Sequence, residues 1–235
     1  MLTIILERRD MTALRVSKSE VEGAICSGIR KAYREYLRWT GDEGLHGAPE
    51  YLLTCAIARE LAELDEGCYV TLEANVRETL ECADVCFRGS PPATLRERGR
   101  ADIVLWVAPE ADQSGVPRVL VEVKNYQTGP GGRLAKDVRR LRDALLLSME
   151  SGGALEFGCL GFWMGVDEKE WASYGSSVGW FESKCDKLRD KAGELVKCHG
   201  LSVRLVQPKT YQWQYDDATR YAWAPSVLVI EKPTE

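Results

Sequence analysis

Histidine is nearly missing from this chain: only His46 and His199 occur in 235 residues. A histidine-based nuclease or a triad hydrolase therefore has little to build with. Positive charge is not in excess either, with 31 Lys and Arg against 36 Asp and Glu, a net charge of −5. Free-standing nucleic-acid binders usually carry a basic footprint. Any such contact here must come from a local basic face or from a partner subunit. No apolar run reaches the roughly 18 residues needed to cross a bilayer, so no membrane role is expected. The opening Leu2-Thr3-Ile4-Ile5-Leu6 is cut off at once by Glu7-Arg8-Arg9-Asp10. It is too short for a signal peptide and reads as an edge strand, which places the protein in the cytoplasm.

Cysteine, by contrast, is frequent, with eight spread through helical and strand patterns. Without an export signal they are expected to be reduced thiols. Cys82-x-x-x-Cys86 and Cys198-His199 invite a zinc reading, but no second tight Cys/His pair stands at finger spacing. Hydrophobic residues at 45% and charged residues at 29% describe a globular chain.

Ser17-Lys18-Ser19-Glu20 has the form of a capping box. Val21, Ile25, Ile29, Tyr33 and Leu37 then recur at four-residue steps, predicting a helix over 17–39. After a Gly-rich loop, Pro49 and Glu50 suit a second helix start, and Gly67 ends it. Cys68 to Ala74 alternates as a strand. Asn75 to Phe87 fits either a short helix or a strand. Ala101 to Val107 and Arg118 to Lys124 are apolar strands around a polar loop. A basic amphipathic helix runs from about Leu134 to Met149, then a strand from Leu155 to Met164. A charged helix follows from Val178 to Cys198, with late strands at 201–206 and 226–231. This order describes one α/β domain over 1–235, with a central mixed β-sheet flanked by helices on both faces. Its core spans about 48–165, with helix 17–39 and the region 178–231 as additions.

The chemistry-bearing stretch is Asp102-Ile103-Val104-Leu105-Trp106 followed by Val119-Leu120-Val121-Glu122-Val123-Lys124. On a strand, Glu122 and Lys124 point the same way and Val123 points opposite. A charged pair ending so apolar a run needs a reason, because buried charge is costly unless paired or metal-bound. In an antiparallel hairpin Asp102 joins their face when it sits opposite residue 122 or 124, not 123. Two carboxylates so placed can hold Mg²⁺ or Mn²⁺ while leaving positions for water and a phosphate oxygen. A lysine beside them can orient the water, stabilise the transition state or give up its proton. The pattern acid-x-Lys recurs at Asp167-Glu168-Lys169 and Glu182-Ser183-Lys184, in charged contexts that suit surface residues. The plain alternative for the first is a cross-strand salt bridge at a sheet edge.

This arrangement resembles the PD-(D/E)XK superfamily, over about Glu50 to Met164, with Ala101 where the name-giving proline would stand. The resemblance implies a restriction-endonuclease-like fold and a Mg²⁺-dependent endonuclease, with Asp102, Glu122 and Lys124 catalytic and Asp102 and Glu122 as metal ligands. It also implies a further acid on an N-terminal helix, for which Glu50 is the candidate and Glu60 and Glu63 are alternatives. The following helix lacks the Gln-x-x-x-Tyr pattern of RecB-like exonucleases, which brings restriction-like or effector nucleases nearer. A prokaryotic or phage setting in restriction, repair or antiviral defence is implied as well. DNA is the expected partner ahead of RNA, with a homodimer or partner subunit supplying more contacts. The other functional class is a catalytically silent subunit that keeps the fold and only clamps nucleic acid.

Arg98 and Arg100 lead into the Asp102 strand, and Lys136, Arg139, Arg140 and Arg142 follow the Lys124 strand. These six are candidate phosphate contacts. Arg139 and Arg142 share a helix face, while Arg140 lies off it. Tyr211, Trp213, Tyr215, Tyr221 and Trp223 form an aromatic group that suits a small core or an interface better than base stacking.

Overall fold

The computed structural model describes residues 16–41, 45–87, 92–95, 99–108, 115–207, 209–214 and 220–233, without the side chains of His46, Cys198, Trp213 and Gln214. The expected opening strand at 2–6, Arg98 and Tyr215 fall outside these residues.

Helix α1 (Lys18–Thr40) starts where the capping box places it. Ser17 accepts from the Glu20 backbone N–H, and the Glu20 carboxylate accepts from the Ser17 N–H. Gly41 closes the helix at φ 66°, a left-handed value that glycine adopts freely. Helix α2 (Glu50–Ala62) begins directly after Pro49. Strand β1 (Cys68–Asn75) leads into α3 (Val76–Cys82), which resolves the ambiguous stretch as a helix. Asn75 caps it by accepting from the N–H groups of Arg77 and Glu78. Then come β2 (Arg100–Val107), β3 (Val116–Tyr126), α4 (Gly132–Ser151) and β4 (Phe157–Asp167). The chain continues through the short α5 (Glu168–Trp171) into α6 (Ser177–Val196), β5 (Ser202–Val206), β6 (Tyr211–Gln214) and β7 (Arg220–Glu231).

The seven strands form one mixed sheet in the order β1-β2-β3-β4-β7-β5, with β6 also on β7. Only β3 and β4 are parallel among the described pairs. A parallel pair needs a crossover, and α4 provides it. The C-terminal strand β7, which the sequence pattern sets apart as an addition, pairs with β4 from Phe157 to Asp167 and so lies inside the sheet.

Helices cover both faces. On one, Ile25 and Ile29 of α1 and Leu53 and Ile57 of α2 pack over Ile103, Val121 and Val123. On the other, Leu134, Val138 and Leu141 of α4 and Trp180 and Leu188 of α6 pack over Val104, Leu120 and Phe162. Double coverage explains why β3 and β4 read as continuous apolar runs rather than alternating ones. Tyr211, Tyr221 and Trp223 of the C-terminal region serve the first of these cores. Trp223 stacks between Tyr33 and Tyr211, with ring centroids at 4.3 and 4.7 Å. No helix among the described residues is long and apolar enough to cross a membrane. The seven described cysteine side chains are free thiols.

Helices α1 and α2 lie in close approach at Gly28, where a Cβ would lie 2.5 Å from the Ile57 Cα. The obstacle is backbone, so relief requires the helices to part. Gly28→Ala should destabilise the fold by about 1–3 kcal/mol, read as a lower urea midpoint with an unchanged slope.

Candidate active site

The register of β2 on β3 assembles the site. Ile103 pairs with Val121, Val104 with Leu120 and Leu105 with Val119. One further step along the same register sets Asp102 opposite Glu122. Val104 and Leu120 face α4, whereas Ile103 and Val121 face α1 and α2. Two residues on from Val104 and Leu120 along their strands, Asp102 and Glu122 return to the α4 side. Asp102 Oδ2 accepts from the Val123 N–H at 2.7 Å, so this carboxylate also holds the two strands together where their ladder ends.

Glu50, Asp102, Glu122 and Lys124 line one open pocket of about 410 Å³, together with Arg100, Arg133, Lys136, Asp137 and Arg140. Glu50 reaches it from the start of α2. Its Oε2 accepts from the Asn125 N–H at 3.2 Å, and its Oε1 lies 3.4 Å from Lys124 Nζ. The alternatives on α2 are placed elsewhere: Glu60 pairs with Lys31, and Glu63 is exposed at the helix end. Lys124 Nζ donates to the Val123 carbonyl at 2.7 Å and stands 3.4 Å from Asp137 Oδ2.

Two side chains on α4 complete the pocket without having been singled out by motif. Arg140 Nη1 contacts both oxygens of Glu122, at 2.7 and 2.8 Å, and also donates to the Arg100 carbonyl at 3.2 Å. Asp137 is buried, and its Oδ2 accepts no hydrogen bond. One sequence signal pointed to Asp137: it lies three residues after Leu134 and four before Leu141, on the apolar stripe itself. A carboxylate in that stripe faces the sheet. Arg140, one turn further, follows it.

The basic residues divide differently from the expected face. Arg100 and Lys136 line the pocket, joined by Arg133. Arg139 is exposed and does not line it. Arg142 turns away, donating to Asp143 and to the Leu195 carbonyl of α6. It ties α4 to α6 and is not part of a rim around the pocket.

Burial pushes the Glu122 carboxyl up to about 8, and the neighbouring Asp102 and Asp137 add to the rise against the pull of Arg140. Burial alone would lower the Lys124 ammonium. The carboxylates of Asp137, Glu50, Asp102 and Glu122 outweigh it and hold the group above its ordinary value. Lys124 therefore carries its proton near neutral pH. Of the three roles open to it, donating to water or to a phosphate oxygen fits this environment, and proton abstraction does not.

The donor set suits a hard divalent cation in kind. Asp102 and Glu122 offer carboxylate oxygens, and Mg²⁺ is commonly held by one or two carboxylates plus water. Among the described residues, no three acidic, cysteine or histidine side chains form a ready-made metal cage. The buried Asp137 Oδ2 accepts no hydrogen bond, although the Lys124 ammonium stands 3.4 Å away. Comparison with protein-family models, with curated proteins and with solved structures gives no match for this chain.

The raised Glu122 carboxyl has a consequence for stability. Unfolded, it releases its proton near the ordinary value of 4.5; folded, near 8. Between these limits the folded state binds more protons, so stability from this group is greatest below the lower limit and is lost as pH rises through the upper. Thermal unfolding in EDTA should show a midpoint falling from pH 5 to 8.5, with a shallower fall in Glu122→Gln.

Proposed function

We propose that this chain is a metal-dependent nuclease of the PD-(D/E)XK kind with a restriction-endonuclease-like fold. It would act in the cytoplasm as an endonuclease that hydrolyses phosphodiester bonds in DNA in preference to RNA. The observation that carries this reading is the gathering of Asp102, Glu122, Lys124 and Glu50 on one pocket. Two of them come from adjacent antiparallel strands, each one residue beyond the last ladder pair, Ile103 with Val121. A cross-strand salt bridge at a sheet edge explains neither the burial of Glu122 nor a second strand aspartate on its face.

Asp102 and Glu122 would hold Mg²⁺ or Mn²⁺. The cation, when bound, lowers the pKa of a coordinated water and offsets charge on the phosphoryl oxygens. Lys124, protonated, donates to the attacking water or to a phosphate oxygen. Glu50 fixes the Lys124 ammonium and the end of β3 through Asn125. Arg100, Arg133 and Lys136 at the rim meet the flanking phosphates. This is how a chain of net charge −5 would hold a polyanion, with a second copy or a partner subunit extending the basic surface. Restriction, repair or antiviral defence in a prokaryote or phage is the setting that fits such an enzyme.

One observation favours the second reading, a silent nucleic-acid-clamping subunit: Arg140 already satisfies both oxygens of Glu122. Incubating plasmid DNA with the protein in Mg²⁺, Mn²⁺ or EDTA separates the two. The nuclease reading predicts nicked and linear products with either cation and none in EDTA. It also predicts a loss of at least about 100-fold in Lys124→Ala, which should still bind Mn²⁺. Wild-type protein that binds DNA and Mn²⁺ without cutting supports the silent subunit. Undiminished cutting by Lys124→Ala moves the chemistry elsewhere.

A further inference from the structure

Arg140 and Asp137 are the two pocket residues to which the proposed reaction gives no task. One nitrogen of Arg140 fills the fork of the Glu122 carboxylate, at 2.7 and 2.8 Å from its oxygens. The same oxygens are those the nuclease reading assigns to a cation. A guanidinium and a hard cation compete for carboxylate lone pairs, so Glu122 cannot serve both in this way. One turn earlier on α4, Asp137 is 4% exposed. Its Oδ2 is buried and accepts no hydrogen bond, with only the Lys124 ammonium near it at 3.4 Å, and its Oδ1 lies 3.8 Å from Arg140 Nη2. A buried acceptor that lacks a donor is costly and calls for one.

We infer that Arg140 is a positioning residue that passes from Glu122 to Asp137 when a divalent cation takes Glu122, and this rests on the nuclease reading above. Asp137 and Arg140 stand three residues apart on one helix, within side-chain reach of each other. Rotation about the arginine side-chain bonds is enough, and α4 need not move. With Arg140 on Glu122, the buried carboxylate is compensated in the absence of a cation. With Arg140 on Asp137, the Glu122 oxygens are free and the buried acceptor gains a hydrogen bond. The transfer also changes the surroundings of Lys124, which stands 3.4 Å from that same Asp137 Oδ2. Once Arg140 neutralises Asp137, the ammonium keeps Glu50 as its anchor and turns its remaining donors to the pocket.

The test is Mn²⁺ titration calorimetry on the full chain as wild type, Asp137→Asn, Arg140→Gln and the double variant, each first checked for folding by its melting transition in EDTA. With Arg140 present, Asp137→Asn should weaken Mn²⁺ binding about tenfold. In the Arg140→Gln background the same change should cost no more than about twofold. An equal loss in both backgrounds makes Asp137 an ordinary cation ligand and overturns the inference. A crystal structure of the wild type soaked in Mg²⁺ reads the same point without variants. Arg140 should then lie on Asp137, and Arg140 still in the fork of a cation-bound Glu122 would contradict the transfer. The two levels separate cleanly. Wild-type protein that binds no Mn²⁺ removes the nuclease reading and this inference together. Wild-type protein that binds Mn²⁺ without the expected coupling removes the transfer alone.

Discussion

A carboxylate in the middle of a packed sheet is unfavourable unless positive charge meets it, at an effective cost of several kcal/mol per uncompensated ion. Glu122 is such a group, 1% exposed and flanked along β3 by Val121 and Val123 at 0%. Arg140 meets it in this structure, and the pocket around them follows from that requirement. Helix α4 has to pass over the end of β3 for Arg140 to arrive. The parallel pairing of β3 with β4 ensures that it does, because the crossover leaves β3 just beyond Lys124 and returns to β4 alongside.

The charges of the pocket are arranged in depth. Asp102, Glu122 and Asp137 lie inside with Lys124 and Arg140 among them, and Arg100, Arg133 and Lys136 stand at the rim. The inner acids hold the lysine protonated, and the outer cations offset an acidic bulk. Net charge therefore says little about what this pocket attracts, since screening over about 8–10 Å leaves the nearest charges in control.

Much of this was legible in the residues. The capping box at Ser17, the proline before α2 and the alternation that sets Glu122 with Lys124 are local signals, and local signals survive without knowledge of the fold. The strand register is partly legible too: the ladder ends at Ile103 with Val121, and continuing it by one step brings Asp102 opposite Glu122. Other parts were not legible. Helix α3 depends on an asparagine cap in a stretch too short to show a period. Strand β6 is four residues long and shows only once β7 is there to pair with it. The rotation of α4 about its axis chooses Arg140 over Arg139 and Arg142 for the pocket. That rotation is set by Leu134, Val138 and Leu141 seating on the sheet, a tertiary fact. Counting basic residues on a helical wheel found their number and missed their direction.

The central claim is that Asp102 and Glu122 form a divalent-cation site. Thermal unfolding of the chain across a Mg²⁺ series tests it most directly, because a ligand that binds only the folded state raises stability with the logarithm of its concentration above the dissociation constant. The account predicts a melting temperature that climbs steadily with Mg²⁺ in the wild type and stays level in Asp102→Asn. A wild-type melting temperature indifferent to Mg²⁺ from micromolar to tens of millimolar would contradict it.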